Sequence, residues 1–279
     1  MYTNDMGAYR RPCRLDEALS LLARPHTVLA GGTDFYPARV GRAIEEDVLD
    51  VGAIAEMRGI AEDRQGWRIG AATTWSDLIE ADLPPLFDGL KQAAREVGGR
   101  QIQNAGTVGG NLCNASPAAD GMPCLLALDA EVEIAGSVAR RLPVADFVTG
   151  PRRTALASGE LLTAVRVPRP AAPARSSFLK LGARRYLVIS IAMAAATLEI
   201  ADGRVAAARV AVGACSPVAR RLPALEMALL GRPCDGLAAC VEAAHLAPLD
   251  PIDDVRGSAA YRRDVVVTLL GRLLQGFAS

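Results

Sequence analysis

The residues best suited to chemistry in this chain are glycines, and they occur in two short segments. Residues 28–35 have the sequence Val-Leu-Ala-Gly-Gly-Thr-Asp-Phe, and residues 106–111 have the sequence Gly-Thr-Val-Gly-Gly-Asn. Glycine tolerates positive φ and lets another group approach the backbone, so several peptide N–H groups can converge on one anion. Because the two segments lie about 75 residues apart, the pattern predicts a dinucleotide that is held from two sides.

A Ser-Pro-x-x-Asp step follows the second glycine segment and ends at Asp120, just before an apolar run that starts at Met122. This run predicts a short helix with Pro123 in its first turn. Two roles stay open for Asp120: it caps this helix, or its carboxylate accepts hydrogen bonds from a bound ligand.

Several other kinds of site find no support in the residues. The chain has two histidines, His26 and His245, and no G-x-S-x-G elbow, which argues against a Ser-His-Asp or Cys-His hydrolase. The P-loop and G-x-G-x-x-G patterns are missing, so a dinucleotide site here is not of the Rossmann type. The six cysteines form no C-x-x-C pair, so we expect no metal in this chain.

Length and charge limit the remaining possibilities. The chain has 279 residues, which is long enough for two or three subdomains. Its 31 basic and 31 acidic side chains cancel, so no global field draws it to nucleic acid or anionic lipid. No stretch approaches the ~20 apolar residues of a membrane span, and residues 1–12 lack the apolar core of a signal peptide. We therefore expect a cytoplasmic protein that does not bind nucleic acid.

The elements that position the first glycine segment form a small βαβ-like unit in residues 1–55. Residues 14–23 have apolar side chains at helical spacing, and residues 27–30 predict a short buried strand. Thr33 or Asp34 is then expected to cap a helix that has a proline in its first turn.

The elements around the second glycine segment occupy residues 56–170. Apolar spacing predicts an amphipathic helix from Leu86 to Val97, which Gly98-Gly99 ends. The alternating residues 131–134 predict a half-buried strand that pairs with residues 138–142.

The last unit, residues 171–279, is predicted to be an α+β domain, in which a sheet comes first and helices follow. A proline-rich linker at residues 168–175 precedes it. Asp202-Gly203 lies between two apolar runs and predicts a tight hairpin. Three helices are predicted after the hairpin: residues 222–230, 237–246 and 259–274.

Together, these segments resemble the FAD-binding subunits of molybdenum hydroxylases. That family includes the medium subunit of carbon monoxide dehydrogenase and the flavin domain of xanthine dehydrogenase. The resemblance covers nearly the whole chain and rests on both glycine segments, Ser116-Pro117 with Asp120, and residues 150–156 and 256–263. It implies an α+β fold with a two-part FAD-binding domain of the vanillyl-alcohol oxidase type. A C-terminal α+β domain with an antiparallel sheet and helices would follow.

The resemblance also implies which residues contact FAD. They are the two glycine segments, one helix end, the aspartate and two later positions: Val28, Leu29, Ala30, Gly31, Gly32, Thr33, Asp34, Phe35, Val97, Thr107, Val108, Gly109, Gly110, Asn111, Asp120, Leu162 and Lys180. Both glycine segments would wrap the pyrophosphate and ribityl chain mostly through backbone N–H groups. Asp120 would accept hydrogen bonds from flavin or ribityl groups.

Three of these positions have an ordinary alternative. Val97 would line the adenine or flavin cleft, and is otherwise the last apolar residue of its helix. Leu162 would lie by the isoalloxazine, and is otherwise a core residue. Lys180 would place its ammonium near the flavin N1–C2=O edge and stabilise the anionic reduced form; otherwise it faces outward from a strand. Tyr186 departs from the family pattern, which leaves the electron acceptor open.

The function implied by the resemblance is electron transfer within an oxidoreductase complex. A large partner subunit would oxidise the substrate at a molybdopterin site, and a small partner with [2Fe–2S] clusters would relay the electrons. FAD on this chain would pass them to NAD⁺, oxygen, a quinone or another acceptor. The chains would form a heterotrimer that can dimerise.

We assign cofactor binding to this chain and expect none of its residues to be catalytic. Neither glycine segment contains a histidine for covalent attachment, so we expect noncovalent FAD. Two alternatives remain: a stand-alone FAD-dependent oxidase, and a non-catalytic assembly module with the same fold.

Overall fold

In the computed structural model, which describes residues 7–185 and 187–278, the chain begins with a parallel three-stranded sheet. The strands are β1 (Tyr9–Arg10), β2 (Thr27–Leu29) and β3 (Val48–Asp50), with β3 in the centre. Helix α1 (Leu15–Leu21) confirms the helix predicted over residues 14–23, and it connects β1 to β2 and buries Ala18. The first glycine segment therefore leaves the carboxyl end of a strand.

The predicted helix after this segment is wrong. Residues Pro37–Arg39 form a single 3₁₀ turn, and neither Thr33 nor Asp34 caps it. The turn cannot continue, because Val40 has extended ψ (125°) and Gly41 has a φ of +75°. A left-handed residue at this point ends any helix.

A five-stranded antiparallel sheet forms the middle of the chain, with strand order β4-β5-β10-β6-β7. The strands of this region, including a short β8–β9 pair at its side, are β4 (Ile60–Asp63), β5 (Gly66–Gly70), β6 (Glu131–Ala135), β7 (Arg140–Pro143), β8 (Val148–Gly150), β9 (Arg153–Thr154) and β10 (Leu161–Pro168). The predicted pairing of residues 131–134 with the following strand is confirmed, and Val132 faces Leu142 in the register.

Short helices pack around this sheet and carry the second half of the site. They are α2 (Trp75–Glu80), α3 (Asp88–Glu96), α4 (Arg100–Ala105), α5 (Val108–Asn114), α6 (Gly121–Ala127) and α7 (Val144–Phe147). Thr74 caps α2, since its Oγ1 accepts a hydrogen bond from the Asp77 N–H at 3.1 Å. The predicted helix from Leu86 is divided into a 3₁₀ turn (Pro85–Phe87) and α3, and Gly98 ends it at a φ of +56°.

The C-terminal part contains a four-stranded antiparallel sheet and two α-helices. Its elements are β11 (Ala174–Leu181), β12 (Ala192–Ala201), β13 (Arg204–Gly213), β14 (Arg220–Arg221), α8 (Pro223–Leu229) and α9 (Ala259–Gln275). The hairpin at Asp202-Gly203 is confirmed, with positive φ at both residues (51° and 70°). Ser258 caps α9 by accepting a hydrogen bond from the Tyr261 N–H.

The predicted helix over residues 237–246 is wrong. Two 3₁₀ turns, Leu237–Cys240 and Ala243–Leu246, replace it. Val241 and Glu242 between them are extended, with ψ of 118° and 151°. The β-branched Val241 favours that conformation, and the Glu242 N–H donates to the His245 ring, which stabilises the second turn instead of a continuous helix.

Strand β12 joins two hydrophobic cores. Met193 and Ala195 point into the core that contains α6, while Ala192, Ala194 and Ala196 point into the core that contains α9. Successive strand residues face opposite sides, and alanines on both faces let a helix approach each one. No helix in residues 7–185 and 187–278 has the length and hydropathy needed to cross a membrane.

Candidate functional site

An open cleft of about 810 Å³ lies between the first glycine segment, helix α5 and the residues from Ser116 to Asp120 that precede α6. This volume is in the range of pockets that hold drug-sized ligands and cofactors. All but three of the predicted FAD-contacting residues line it, and the exceptions are Leu29, Val108 and Lys180. Leu29 and Val108 are buried in the protein interior instead.

The first glycine segment forms part of the cleft wall and contains backbone donors without an acceptor in the described chain. The N–H groups of residues 31–35 donate to no acceptor in the part of the chain that the structure describes, and all five residues line the cleft. Gly32 has a φ of +70°, which turns the chain directly after β2. Gly31 must be glycine for a different reason: an added Cβ would overlap the Ala105 carbonyl and stand 2.8 Å from the Gly106 Cα. This segment fits the expected cradle for an anion.

The second glycine segment is not the turn that its glycines predicted. It forms the first turns of α5, which Thr107 caps by accepting the Gly110 N–H on its Oγ1 at 3.0 Å. The other N–H groups of residues 108–111 donate to backbone carbonyls at 2.8–3.0 Å. These amides are therefore already paired within the chain, and their contact with a pyrophosphate stays a prediction. The segment offers the cleft a glycine surface and the Asn111 side chain.

Asn111 supplies the clearest sign of a missing polar partner in the cleft. Its Oδ1 is buried and has no hydrogen bond to the described residues. An unpaired buried acceptor costs free energy unless a ligand or water donates to it. Gly121 makes room beside this atom, because a Cβ there would come within 3.2 Å of the Asn111 Oδ1 and 2.6 Å of the Trp75 ring. These residues fit a ligand that carries a hydrogen-bond donor.

Asp120 does not cap α6, which answers the alternative left open by the sequence. Its backbone is helical (φ −61°, ψ −31°) and its side chain makes no cap hydrogen bond. Lys180 Nζ lies 2.7 Å from one carboxylate oxygen, and the Ser190 hydroxyl donates to the other at 2.6 Å. The Asp120 and Lys180 side chains are only 8% and 6% exposed, so this is a buried ion pair at the edge of the cleft.

Burial raises the pKa of the Asp120 carboxyl, while the Lys180 ammonium and the Ser190 hydroxyl act in the opposite direction. Lys180 therefore does not face outward from its strand. Its ammonium also donates to the Glu96 carbonyl at 3.3 Å. Because Lys180 does not line the cleft and Asp120 does, the lysine reaches the cleft through the aspartate, and its direct contact with a flavin stays a prediction.

Two apolar side chains complete the predicted set. Val97, at the end of α3, lines the cleft, as expected. Leu162 also lines it from β10, and with 2% exposure it belongs to the core as well. Both residues bring apolar surface to the cleft. Tyr186, which departs from the family pattern, lies outside the described residues.

The sequence argument did not identify Arg152 as a cleft residue. Its Nη1 lies 2.6 Å from the Asp34 carboxylate, and it also hydrogen-bonds to the Asn114 side chain. Asp34 and Arg152 are 118 positions apart, so no local spacing could signal this contact. Residues 150–156 supported the family resemblance without revealing which group they face.

Comparison with known proteins gives matches along nearly the whole chain. A family model described as the FAD binding domain in molybdopterin dehydrogenase matches residues 4–170, and one described as the CO dehydrogenase flavoprotein C-terminal domain matches residues 177–277. The xanthine dehydrogenase FAD-binding subunit of Escherichia coli O157:H7 is 31% identical over 97% of this chain and 95% of its own length. The carbon monoxide dehydrogenase medium chain of Afipia carboxidovorans is 32% identical over 96% and 95%.

Solved structures agree with these matches. Carbon monoxide dehydrogenase from Hydrogenophaga pseudoflava aligns with a TM-score of 0.85 at 29% identity, covering 96% of both chains. Quinoline 2-oxidoreductase from Pseudomonas putida 86 aligns with a TM-score of 0.87 at 26% identity, covering 98% of both chains. The expected α+β fold is thereby confirmed.

Proposed function

The chain belongs to the family of FAD-binding subunits of molybdenum hydroxylases, and from this premise we propose that it transfers electrons within such a complex. FAD binds noncovalently in the cleft. Electrons arrive from the [2Fe–2S] clusters of a small partner subunit and leave to an external acceptor. A large partner subunit oxidises the substrate at its molybdopterin site, and the chains form a heterotrimer that can dimerise.

The observation that carries this proposal is the distribution of polar groups around the cleft. Five consecutive free N–H groups, at residues 31–35, lie on one side. The unpaired Oδ1 of Asn111 and the Asp120 carboxylate lie on the other. A dinucleotide has an anionic diphosphate and several hydrogen-bond donors, so it matches both sets of groups at once. The amides of residues 31–35 bind the diphosphate.

The residues near Asp120 hold the flavin end in a fixed environment. FAD, when bound, supplies the ability to accept and release electrons singly or in pairs. The Asp120 carboxylate would receive hydrogen bonds from the cofactor, while Lys180 and Ser190 hold this carboxylate in place and oppose the effect of burial on its pKa. Val97 and Leu162 give apolar walls that exclude water. This chain therefore binds and orients the cofactor and leaves substrate oxidation to the partner.

The test is to coexpress the chain with candidate molybdopterin and iron–sulfur subunits and purify the complex. We expect FAD, released on denaturation, at about one per chain. We also expect the flavin to be reduced anaerobically only when the iron–sulfur partner is present and reduced. A complex without flavin would favour the assembly module. Flavin reduction by a substrate in the absence of both partners would favour the stand-alone oxidase.

A further inference from the structure

We propose that Arg152 is a diphosphate ligand of the cleft, and that its guanidinium exchanges the Asp34 carboxylate for phosphate oxygens when the dinucleotide binds. This inference rests on the proposed function, since it assigns a further binding residue to the same site. It adds a cation to a cradle that otherwise consists of backbone N–H groups.

The position of the guanidinium is the first observation. Nη1 of Arg152 lies 2.6 Å from the Asp34 carboxylate, and the peptide N–H of Asp34 is one of the free donors of residues 31–35. Asn114 fixes the same nitrogen from the other side, with its side-chain oxygen and, at 3.4 Å, its carbonyl. The guanidinium therefore stands beside a residue whose amide is free, where both groups can share one anion.

The backbone that presents Arg152 is held in an unusual conformation. Arg152 has a φ of +57°, and its N–H donates at 2.9 Å to the carbonyl of Ala115, which has a φ of +46° and ends α5. Left-handed backbone is unfavourable for both residue types. Such residues persist where the surrounding structure enforces them, and they cluster at functional sites. Here the result is that the arginine projects over the cleft.

Two arginines, Arg39 and Arg152, are the basic residues that line the cleft in the described chain. Arg39 already interacts with other groups. It pairs with Glu46, donates to the Phe35 carbonyl at 3.1 Å and stacks over the Phe35 ring at 3.8 Å. The partner of Arg152 is the cleft residue Asp34, and both side chains are more than half exposed. An exposed pair gains little free energy, so it can be exchanged readily.

Phosphate suits this guanidinium as well as carboxylate does. The planar fork of arginine matches either anion, and charge-assisted hydrogen bonds to phosphate are among the stronger ones. A diphosphate on the amides of residues 31–35 would also be repelled by the Asp34 carboxylate beside it. Neutralising Asp34 therefore has the opposite consequence to neutralising Arg152, although the two residues form one ion pair.

The experiment titrates FAD alone into the full chain after its flavin has been removed, so an acceptor nucleotide cannot contribute. We expect Arg152→Gln to raise the Kd for FAD by about 10- to 100-fold at low salt. High salt should reduce this difference, because the site is open to solvent. Arg152→Lys should recover part of the loss. Asp34→Asn keeps the peptide N–H and removes only the repelling carboxylate, so it should bind FAD more tightly than the wild type.

Arg153→Gln is the matched control, because it removes the same charge one residue away, on a side chain that does not line the cleft. It should stay within about twofold of the wild type. Thermal unfolding of each stripped variant shows whether it is folded. If Arg152→Gln binds FAD like the wild type, the inference is wrong. If Asp34→Asn weakens FAD binding as much as Arg152→Gln does, the inference is also wrong, because the ion pair then only maintains the structure of the cleft. If the wild-type chain binds no FAD, the proposed function fails as well.

Discussion

Replacing Lys180 by methionine tests whether the buried ion pair at the cleft edge stabilises the fold. Methionine has a similar length but no charge, so the change leaves Asp120 at 8% exposure without its cation. Removing one partner of a buried pair typically costs about 3–5 kcal/mol, because the remaining charge is uncompensated. The Ser190 hydroxyl still donates to the carboxylate, so we expect about 3 kcal/mol, the lower end of that range.

The pH dependence of this loss identifies its cause. Burial raises the pKa of Asp120 and Lys180 lowers it, so the variant should have a pKa raised still further. A carboxyl whose pKa is higher in the folded than in the unfolded protein destabilises the fold at a pH above both values. This penalty disappears as pH falls, because the carboxyl is then protonated in the folded and in the unfolded protein. The difference in unfolding free energy between wild type and Lys180→Met should therefore narrow from pH 7 towards pH 4.

Urea unfolding of protein stripped of FAD measures the effect, because bound FAD would itself add stability. Asp120→Asn in the Lys180→Met background is the matched control, and it should recover much of the loss at pH 7 by removing the unpaired charge. If Lys180→Met unfolds within about 0.5 kcal/mol of the wild type at pH 7, which is the usual range for a surface change, the buried-pair argument is refuted. A loss of equal size at every pH would also contradict it.

Two further predictions concern the cleft wall and the glycines. Arg140 donates two hydrogen bonds to the Glu160 carboxylate at 2.7–2.8 Å and lowers the pKa of Glu160 to about 2. The ion pair should therefore stabilise the fold fully above pH 4.5, the ordinary pKa of this group, and the stabilisation should be lost as pH falls towards 2. Urea unfolding should therefore show Glu160→Gln to be about 1–2 kcal/mol less stable at pH 6, discounted for the partly exposed arginine, with the deficit shrinking below pH 4.5. Gly31→Ala should displace the amide cradle and abolish FAD retention in a flavin assay. The control is Gly271→Ala in α9, where an added Cβ meets no other atom, so this variant should retain FAD and stabilise the fold by about 0.5–1 kcal/mol. If both variants retain FAD equally, residues 31–35 do not bind the cofactor.

Features encoded within a few residues were predictable from the sequence. The Asp202-Gly203 hairpin was predicted from the φ preferences of two adjacent residues. The Ser258 cap of α9 and the Thr74 cap of α2 likewise depend on side chains within four positions. The residue pattern indicated the two glycine segments and Asp120, whereas Val97 and Leu162 came from the family resemblance, which is a different source of information. The division of the first 170 residues at position 55 stays a prediction.

One error, at the second glycine segment, arose where distant segments decide the local structure. Residues 108–111 form a helix despite two glycines, because the Thr73 and Ala71 carbonyls accept hydrogen bonds from the N–H groups of Val108 and Gly109. These contacts also occupy the amides of Val108 and Gly109. The glycines predicted a turn, and tertiary packing made the segment the start of a helix.

The pairing of charged residues was likewise hidden from the sequence. Asp120 and Lys180 were expected at the site as separate contacts, and the structure joins them across 60 positions. Arg152 was missed because its partner Asp34 is 118 positions away. Spacing rules apply to one helix or strand and give no information on pairs of this kind.

A crystal structure of the chain with FAD bound would show where the diphosphate lies. We expect phosphate oxygens within hydrogen-bonding distance of the N–H groups of residues 31–35 and a polar group of the cofactor against the Asn111 Oδ1. A diphosphate bound outside this cleft, or FAD bound with those N–H groups still free, would contradict this expectation.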